Sequence, residues 1–369
     1  MAGRIVLFGA TGYTGELTAR ELAGIGERPV LAARDGARVR ALADELGGLE
    51  WAVADVSRPE TVRALVERGD VLVSCVGPFQ RWGAPAVEAA IDAGAHYLDS
   101  TGETPFIRRV FEDWGPRAEA AGCALLTAMG YDWVPGNLAA ALALGDAPDP
   151  ARATHVAVGY FLTGAAGMSG GTRASAAGVF LEPSFAWRGG RLVTERSGAR
   201  GRAFLVDGRG RKAVSAGSSE HFGLPQSFPA LQEVDVYLGW FGSASDALRA
   251  VSLGVAVATR VPAVRSVLGE VVGRAVKGST GGPDAEARAA SGSVVVAEAT
   301  DAAGTVLGRA HLAGVNGYDF TAGMLAWGAR AAAAGRLRGT GALGPVAAFG
   351  LEALREGARS AGIERQAPA

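Results

Sequence analysis

The sequence has 369 residues, of which 49% are hydrophobic and 20% are charged, and its formal net charge is −1. This length predicts two domains, and the composition is typical of a globular protein. The near-neutral charge disfavours nucleic-acid binding, which usually requires a basic surface. The longest membrane-like stretch, residues 251–258, falls far short of the roughly 18 residues that a spanning helix needs.

Cysteine usage and the N-terminus bear on the compartment. Cys75 and Cys123 lie far apart, each in an apolar run, which predicts neither a disulfide framework nor a zinc site. Free buried thiols suit a reducing environment, and the N-terminal residues show no targeting signal. We therefore expect a cytoplasmic protein with no integral membrane segment.

The first 145 residues alternate short apolar runs with helical patterns. The predicted strands are Arg4–Phe8, Pro29–Ala33, Glu50–Ala54, Val71–Cys75, His96–Leu98 and Ala124–Thr127. The predicted helices are Tyr13–Ala23, Ala37–Leu46, Pro59–Glu67, Ala84–Ala93 and Phe106–Ala121. Such alternation predicts an α/β fold with a doubly wound parallel sheet, the Rossmann arrangement, over residues 1–145.

The pattern changes near the proline-containing stretch 146–150. Hairpin signals follow at 204–214 and at 293–312, which predict a second α/β domain with a mixed or antiparallel sheet over residues 146–320. We expect this domain to bind substrate and to mediate a homodimer. The alanine-rich tail, residues 321–361, predicts helices that are interrupted near 339–345.

The sharpest local signal follows the first predicted strand, where three spaced glycines lead directly into a helix. In dinucleotide-binding folds the first glycine permits a tight turn, the second admits a pyrophosphate and the third lets the helix pack on the strand. The helix N-terminus offers free N–H groups and a positive dipole end to the anion. The predicted contacts are Gly9, Thr11, Gly12, Tyr13, Thr14 and Gly15.

The end of the second strand bears on the choice of nucleotide. Arg34 stands where an arginine can pair with the 2′-phosphate of NADP, and Arg38 can assist one turn later. Asp35 is the residue type that holds the ribose 2′-hydroxyl in NAD sites, so its presence weakens the predicted preference for NADP over NAD. Asp55, after the third strand, either contacts the adenine or caps the next helix. The prediction is NADP(H).

Three further loops are expected at the carboxyl edge of the sheet, where open α/β folds bind ligands. The loop after the fourth strand should run beneath the nicotinamide ribose and contributes Cys75, Val76, Gly77 and Pro78. The loop after the fifth strand spans 99–103, and the loop after the sixth spans 130–135.

At these loops the chain resembles the saccharopine dehydrogenase-like oxidoreductases, whose bacterial branch includes proteins called trans-acting enoyl reductases. The matching stretches are residues 9–15, 76–85, 94–103, 130–135 and 317–321. The resemblance implies an NADP-binding Rossmann domain, a second α/β domain, and C-terminal helices within 321–362 that pack back on the first domain. In one departure, Gly136 and Asn137 stand where the family pattern has Ser-Asp, which removes a charge and leaves the substrate open.

Hydride transfer needs no protein nucleophile, but the protein must supply a proton to the developing anion. Tyr131 and Asp132 are the first candidates for that role, followed by Asp99 and Glu103. Structural roles compete with each assignment: Asp132 as a helix cap, Glu103 in an ion pair and Tyr131 as part of the wall. Trp133 is expected to contact the substrate.

The stretch 167–171 matches the nucleophile elbow of serine hydrolases, and Asp207 and His221 follow in the matching order. Several residues separate the preceding strand from the serine, whereas the elbow is a tight turn. We therefore favour a glycine loop that opens a helix, in which Ser169, Thr172 and Arg173 hold a substrate carboxylate or phosphate.

The main hypothesis is an NADP-dependent oxidoreductase that acts on a polarised C=C, C=O or C=N bond of a small or carrier-bound substrate. The alternatives are an NADP-binding sensor or scaffold without redox chemistry and, more remotely, a serine hydrolase. Neither lysine follows a tyrosine at the four-residue spacing of short-chain dehydrogenases, and no metal site is predicted.

Overall fold

The structure is a computed structural model that describes residues 3–164, 183–240, 242, 245–258 and 281–367. The chain divides into two compact units. The first comprises Met1–Gly102, Phe106–Val134 and Gly317–Gly362, and the second Glu103–Pro105, Pro135–Asn316 and Ile363–Ala369. The division at Val134 falls earlier than the expected boundary at residue 145.

The elements of the described residues are numbered in chain order. The strands are β1 (Ile5–Phe8), β2 (Val30–Ala33), β3 (Trp51–Val53), β4 (Val71–Ser74), β5 (His96–Asp99), β6 (Ala124–Leu126), β7 (His155–Gly164), β8 (Pro183–Arg188), β9 (Arg191–Arg196), β10 (Gly201–Val206), β11 (Arg209–Ser215), β12 (Glu233–Leu238), β13 (Ser291–Thr300), β14 (Val306–Val315), β15 (Gly341–Ala342) and β16 (Ile363–Arg365). The α-helices are α1 (Tyr13–Gly24), α2 (Gly36–Glu45), α3 (Pro59–Arg63), α4 (Phe79–Trp82), α5 (Ala84–Ala93), α6 (Thr104–Arg109), α7 (Gly115–Ala121), α8 (Val134–Gly145), α9 (Glu220–Ser227), α10 (Ser245–Ala258), α11 (Ala285–Ala289), α12 (Gly317–Ala333), α13 (Pro345–Phe349) and α14 (Leu351–Ser360).

The first unit contains a parallel sheet with strand order β15-β6-β5-β4-β1-β2-β3. Strands β1 and β4 are buried along their whole length, as expected for parallel strands covered on both faces. Phe8 pairs with Ser74, which pairs with Asp99, so the carboxyl ends of β1, β4 and β5 are level. This arrangement confirms the predicted Rossmann fold. Successive strands are added on one side of β1 up to β3 and on its other side from β4 onward, so the topological switch point lies between β1 and β4.

Two details of the first unit differ from the sequence prediction. The single helix predicted over 106–121 is instead α6, a π-helical turn over Val110–Trp114, and α7. Pro116, near the start of α7, lacks the N–H that would continue the helical hydrogen-bond ladder. The sequence also gave no signal for the two-residue strand β15, through which the C-terminal segment extends the sheet beside β6.

The second unit contains a mixed sheet with strand order β10-β11-β12-β7-β13-β14-β16, with β8 pairing to β12 and β9 to β8. Strands β7 and β12 are parallel, and the other pairings are antiparallel. The predicted hairpin over 204–214 is present as β10 and β11. Its turn residues Asp207 and Gly208 both have positive φ, as a two-residue hairpin turn requires.

Within the described residues, none of the helices combines the length and apolar character needed to cross a bilayer.

Candidate functional site

The glycine turn between β1 and α1 is built around backbone contacts that exclude side chains. Gly9 has φ +86°, and its N–H donates to the Ala32 carbonyl at 2.8 Å. A Cβ at Gly15 would lie 2.1 Å from the Gly9 carbonyl oxygen, so this position must be glycine for α1 to approach the turn. Two of the three glycines are therefore required by the fold itself.

Gly12 differs from the other two because the space beside it is open. A Cβ there would meet, within 4 Å, only the Gly9 carbonyl oxygen, at 3.3 Å, among the described residues. Gly12 is also the N-cap of α1, and no described side chain caps the helix at this residue. The N-terminus of α1 and the open surface beside Gly12 fit a diphosphate, which needs close backbone approach and the positive end of the helix dipole.

The residues after β2 have separate roles. The Asp35 carboxylate caps α2 by accepting a hydrogen bond from the Arg38 N–H at 3.1 Å, which explains an acid at this position without a ribose contact. The Arg38 guanidinium donates to the Thr11 carbonyl at 3.0 Å and so braces the glycine turn. Arg34 is exposed. Its positive charge is one of the causes that lower the pKa of Asp55, so the two side chains lie near each other.

Asp55 is engaged in a local turn. Its Oδ1 accepts hydrogen bonds from the Ser57 N–H and hydroxyl, both at 2.9 Å, and these bonds lower its pKa. The next helix, α3, has Arg58 at its N-cap, so Asp55 does not cap it. The capping alternative is therefore wrong, and an adenine contact from Asp55 stays a prediction.

The loop after β4 lies directly against the glycine turn. A Cβ at Gly9 would lie 2.8 Å from Val76 Cγ2 and 3.1 Å from the Cys75 carbonyl carbon. The Cys75 N–H donates to the Phe8 carbonyl at 2.8 Å, which fixes the start of the loop. Burial raises the pKa of the Cys75 thiol to about 12, so it stays protonated and is a poor nucleophile. Gly77 and Pro78 follow in the same loop.

Asp99, at the end of β5, organises the loop after β6. Its fully buried carboxylate accepts hydrogen bonds from the Thr101 N–H, the Thr127 hydroxyl and the Ala128 N–H, at distances of 2.9 to 3.1 Å. Burial raises the pKa of Asp99 to about 6 despite these donors, which act in the opposite direction. Ala128 has φ +60°, a strained conformation for a residue with a side chain, and the Asp99 contact holds it there.

Asp132 lies further along the same loop and has different surroundings. Its Oδ1 atom is shielded from solvent and has no hydrogen-bond partner among the described residues. Burial raises the pKa of Asp132 to about 7. A Cβ at Gly102 would lie 2.9 Å from Asp132 Oδ2, so the loop after β5 leaves room for this carboxyl. Both loops follow adjacent parallel strands and therefore lie at one edge of the sheet.

The remaining catalytic candidates are buried. Tyr131 is 5% exposed and its ring packs on Gly317, where a Cβ would lie 2.9 Å from Tyr131 Cδ1. Trp133, the predicted substrate contact, is 2% exposed, and its backbone N–H donates to the Ala128 carbonyl. Glu103 is buried and belongs to the second unit. Direct roles for these three residues stay predictions.

Three predicted substrate contacts, Ser169, Thr172 and Arg173, lie outside the described residues, as does the whole stretch that matches the hydrolase elbow. His221, the histidine of that hypothesis, is buried beside Ser218, 3.0 Å from its hydroxyl. Burial lowers the pKa of His221 to about 4, so the ring is neutral at physiological pH.

In the second unit, the departure at Gly136 and Asn137 has a structural explanation. A Cβ at Gly136 would lie 2.2 Å from both the Tyr160 hydroxyl and Glu220 Oε1. Tyr160 donates to Glu220 at 2.6 Å and accepts from the Gly136 N–H at 2.8 Å, while the Asn137 amide donates to the Ser219 hydroxyl. A buried carboxylate is thus present at the start of α8, but α9 supplies it.

One group of metal-ligand side chains occurs among the described residues of the second unit. Atoms of His155, Glu233 and Asp235 lie within 4.8 Å of one another. Asp235 also bonds to the guanidinium groups of Arg188 and Arg200, the latter at 2.7 Å. These cations already compensate the buried carboxylate, so the group forms an ion-pair network rather than a vacant cation site.

Comparisons with known proteins agree with this geometry. Residues 5–126 match the family model of the saccharopine dehydrogenase NADP-binding domain. A trans-acting enoyl reductase of Mycobacterium ulcerans is 40% identical over 140 residues, which cover 36% of this chain and 34% of that protein. A putative trans-acting enoyl reductase of Mycobacterium tuberculosis is 41% identical over 140 residues, covering 36% and 33%. The matches thus span about a third of the length of these curated relatives.

The fold has a counterpart among solved structures. The apo form of saccharopine dehydrogenase (L-Glu forming) from Saccharomyces cerevisiae aligns over 100% of both chains, with a TM-score of 0.61 and 13% identity. That similarity concerns the fold, whereas the family match concerns the sequence that carries the glycine turn and the loops after β4 and β5. Residues 5–126 of this chain are therefore similar to the saccharopine dehydrogenase NADP-binding domain, and the cofactor is NADP(H).

Proposed function

We propose that this protein is an NADP-dependent oxidoreductase that reduces a carbon–carbon double bond conjugated to a carbonyl group, with Asp132 as the proton donor. The observation that carries the proposal is the shielded carboxyl oxygen Oδ1 of Asp132, which has no hydrogen-bond partner among the described residues and lies in the unit that binds NADP(H). A shielded carboxyl oxygen without a hydrogen-bond partner among the described residues is unusual in a folded protein, because burying an unpaired polar or charged group costs free energy.

The protonation state of Asp132 supports this role. Burial raises its pKa to about 7, so a large fraction of the carboxyl groups carries a proton at neutral pH. General acids work best when their pKa lies near the working pH, because they are then protonated yet release the proton readily. Asp99 differs, since its carboxylate is committed to three loop hydrogen bonds.

NADPH, when bound, supplies the hydride that adds to the carbon β to the carbonyl group. The glycine turn and the first turn of α1 would hold the diphosphate, and Arg34 would pair with the 2′-phosphate. The electron pair of the double bond moves onto the α-carbon and the carbonyl oxygen. Asp132 delivers its proton to the α-carbon, is left as a carboxylate, and recovers a proton from solvent after the product leaves.

The substrate class is supported by the relatives that share about 40% of their aligned residues with this chain and are named trans-acting enoyl reductases. An enoyl group is such a conjugated double bond, and an enzyme that acts in trans takes it from a separate carrier. The fold-level likeness to a saccharopine dehydrogenase, at 13% identity, makes an imine the second substrate to test.

The first experiment is a fluorescence titration with NADPH and NADH, followed by NADPH oxidation with two substrate types. One is an enoyl thioester on coenzyme A or pantetheine, and the other is a 2-oxo acid mixed with an amine. Turnover with the thioester alone is the expected result. Tight NADPH binding without turnover of either type would favour the sensor or scaffold, and absence of binding would refute the proposal.

The Asp132→Asn variant tests the proton donor within the same experiment. It should bind NADPH as the wild type does, because Asp132 is not part of the glycine turn, and it should lose about 10²-fold to 10⁴-fold in turnover. Full turnover by this variant would exclude Asp132 as the donor.

A further inference from the structure

The start of α12 contacts two parts of the first unit that are distant in sequence. The stretch Gly317–Thr321 forms its first turn, and it was one of the matching stretches without an assigned role. One contact reaches the loop after β6, which carries Asp132, and the other reaches the start of α1, where the glycine turn ends. All of these residues belong to the first unit.

Thr321 makes the contact with the loop. Its hydroxyl accepts a hydrogen bond from the Tyr131 N–H at 3.0 Å and donates to the Gly317 carbonyl at 2.7 Å. The side chain is also closely enclosed, because a Cβ at Gly130 would lie 2.7 Å from Thr321 Cγ2. The hydroxyl therefore fixes the backbone of the residue immediately before Asp132, and it acts both as an acceptor and as a donor.

Tyr318 makes the contact with the cofactor turn. Its ring packs edge-on against the ring of Tyr13, with centroids 5.1 Å apart and an interplanar angle of 86°. Tyr13 is the first residue of α1 and directly follows Gly12. Edge-to-face aromatic pairs contribute free energy beyond simple burial, so this contact favours one position of the first turn of α1.

We propose that the first turn of α12 is a positioning element, in which Thr321 sets the loop that carries Asp132 and Tyr318 sets the start of α1. Neither side chain is a catalytic residue, since each acts through a neighbour that the proposed reaction uses. The inference rests on the proposed role of Asp132 for its functional meaning. It deepens that proposal by naming the residues that keep the proton donor and the diphosphate turn in one arrangement.

The decisive comparison is between Thr321→Val and Thr321→Ser. Valine keeps the shape of threonine but removes the hydroxyl, whereas serine keeps the hydroxyl and removes the methyl group. We expect Thr321→Val to raise the exchange rate of the Tyr131 amide hydrogen by about tenfold, because it loses its acceptor. The titration of the Asp132 carboxyl, followed by carbon NMR, should shift in the same variant. Thr321→Ser should behave like the wild type in both measurements.

The second comparison concerns the cofactor. Tyr318→Ala should raise the Kd for NADPH about fivefold, whereas Tyr318→Phe, which keeps the ring, should leave it unchanged. Thr321→Val should change that Kd by less than about twofold, because Thr321 contacts the loop rather than the turn. Phe349→Leu serves as the control for general destabilisation, since Phe349 packs on Trp327 of α12. It should lower the thermal unfolding temperature without changing Tyr131 exchange.

The outcomes separate this inference from the proposed function. The inference would be overturned if Thr321→Val showed the same Tyr131 amide exchange and the same Asp132 titration as the wild type. It would also be overturned if Phe349→Leu changed these two measurements as much as Thr321→Val does. A Thr321→Val variant with normal kcat, beside an inactive Asp132→Asn variant, would overturn it while leaving the proposed function standing. If Asp132→Asn kept full turnover, the proposed function would fail, whereas the exchange and titration results would still decide whether Thr321 positions the loop.

Discussion

Replacing Asp132 with asparagine should make the protein more stable at alkaline pH and leave its stability unchanged at acid pH. The pKa of Asp132 is raised by burial from 3.8 to about 7 in the folded protein. Between these values the folded state binds more protons than the unfolded state, so the free energy of unfolding falls as the pH rises through this window. Asparagine has nearly the same shape, does not titrate, and removes this loss.

The magnitude follows from the size of the shift. Each pKa unit corresponds to about 1.4 kcal/mol, so a shift of about 3 units sets an upper bound of about 4 kcal/mol. Water penetration and relaxation around the carboxylate raise the effective dielectric constant of the site, and we expect about half of this value, about 2 kcal/mol. The stability difference between variant and wild type should therefore be near zero below about pH 4 and should level off above about pH 7.

The assay is urea unfolding of both proteins at a series of pH values, compared as a difference so that other titrating groups cancel. Asp99 titrates in both proteins, with a pKa raised by burial to about 6, and it contributes equally to each curve. Asp44→Asn, which removes an exposed carboxyl group from α2, controls for the change in net charge. If the difference in free energy of unfolding between Asp132→Asn and the wild type does not change with pH, Asp132 is ionised and solvated in the folded protein. That result would also remove the basis for its proposed role as a proton donor.

Four further predictions concern cofactor binding. Gly15→Ala places a methyl group 2.1 Å from the Gly9 carbonyl oxygen, so it should lower the unfolding temperature as well as NADPH affinity, as a thermal melt without cofactor would reveal. In Gly12→Ala the new methyl group would lie 3.3 Å from that oxygen, so the variant should fold normally. Its NADPH affinity, measured by fluorescence, should nevertheless fall at least about tenfold. An unchanged affinity would place the diphosphate elsewhere. Arg34→Ala should weaken NADPH about tenfold or more while leaving NADH nearly unchanged, and equal losses for both would refute its contact with the 2′-phosphate. Arg38→Ala, by contrast, should weaken both nucleotides to a similar extent, because Arg38 bonds to the Thr11 carbonyl of the turn.

The sequence was sufficient to predict strands β1 to β6 of the first sheet because each of their signals is local. A buried strand, spaced glycines and a helix lie within about a dozen residues, and the physical requirement of each glycine can be stated without knowing its neighbours. Asp35 shows the limit of that reasoning. Its residue type suggested a ribose ligand, but a carboxylate directly before a helix has a second use as an N-cap, and the structure assigns it that use.

The supports of the site could not be predicted, because their partners are far apart in the sequence. Thr321 bonds to a residue 190 positions earlier, and no periodic pattern encodes such a pair. Glu220 likewise fills the space beside Gly136 from a different helix, so the glycine looked like the loss of an acidic residue when it was in fact making room for one. A sequence motif identifies which backbone turns are needed, whereas the packing of distant segments decides which side chains can occupy them.

The two aspartates of the adjacent loops show how one structure gives the same residue type different roles. Asp99 is fully buried and Asp132 is half-buried with its Oδ1 atom shielded from solvent, and burial raises the pKa of each. The Asp99 carboxylate accepts hydrogen bonds from three donors and thereby fixes the loop after β6, including the strained Ala128. Asp132 sits on the loop so held, and its Oδ1 has no such donor among the described residues. A buried carboxyl group whose oxygens accept hydrogen bonds stabilises the fold, whereas one without hydrogen-bond donors lowers the free energy of unfolding. Such a costly group is expected mainly at functional sites. The difference in hydrogen bonding, rather than the position of either residue in the sequence, is the reason that we propose Asp132, and not Asp99, as the proton donor.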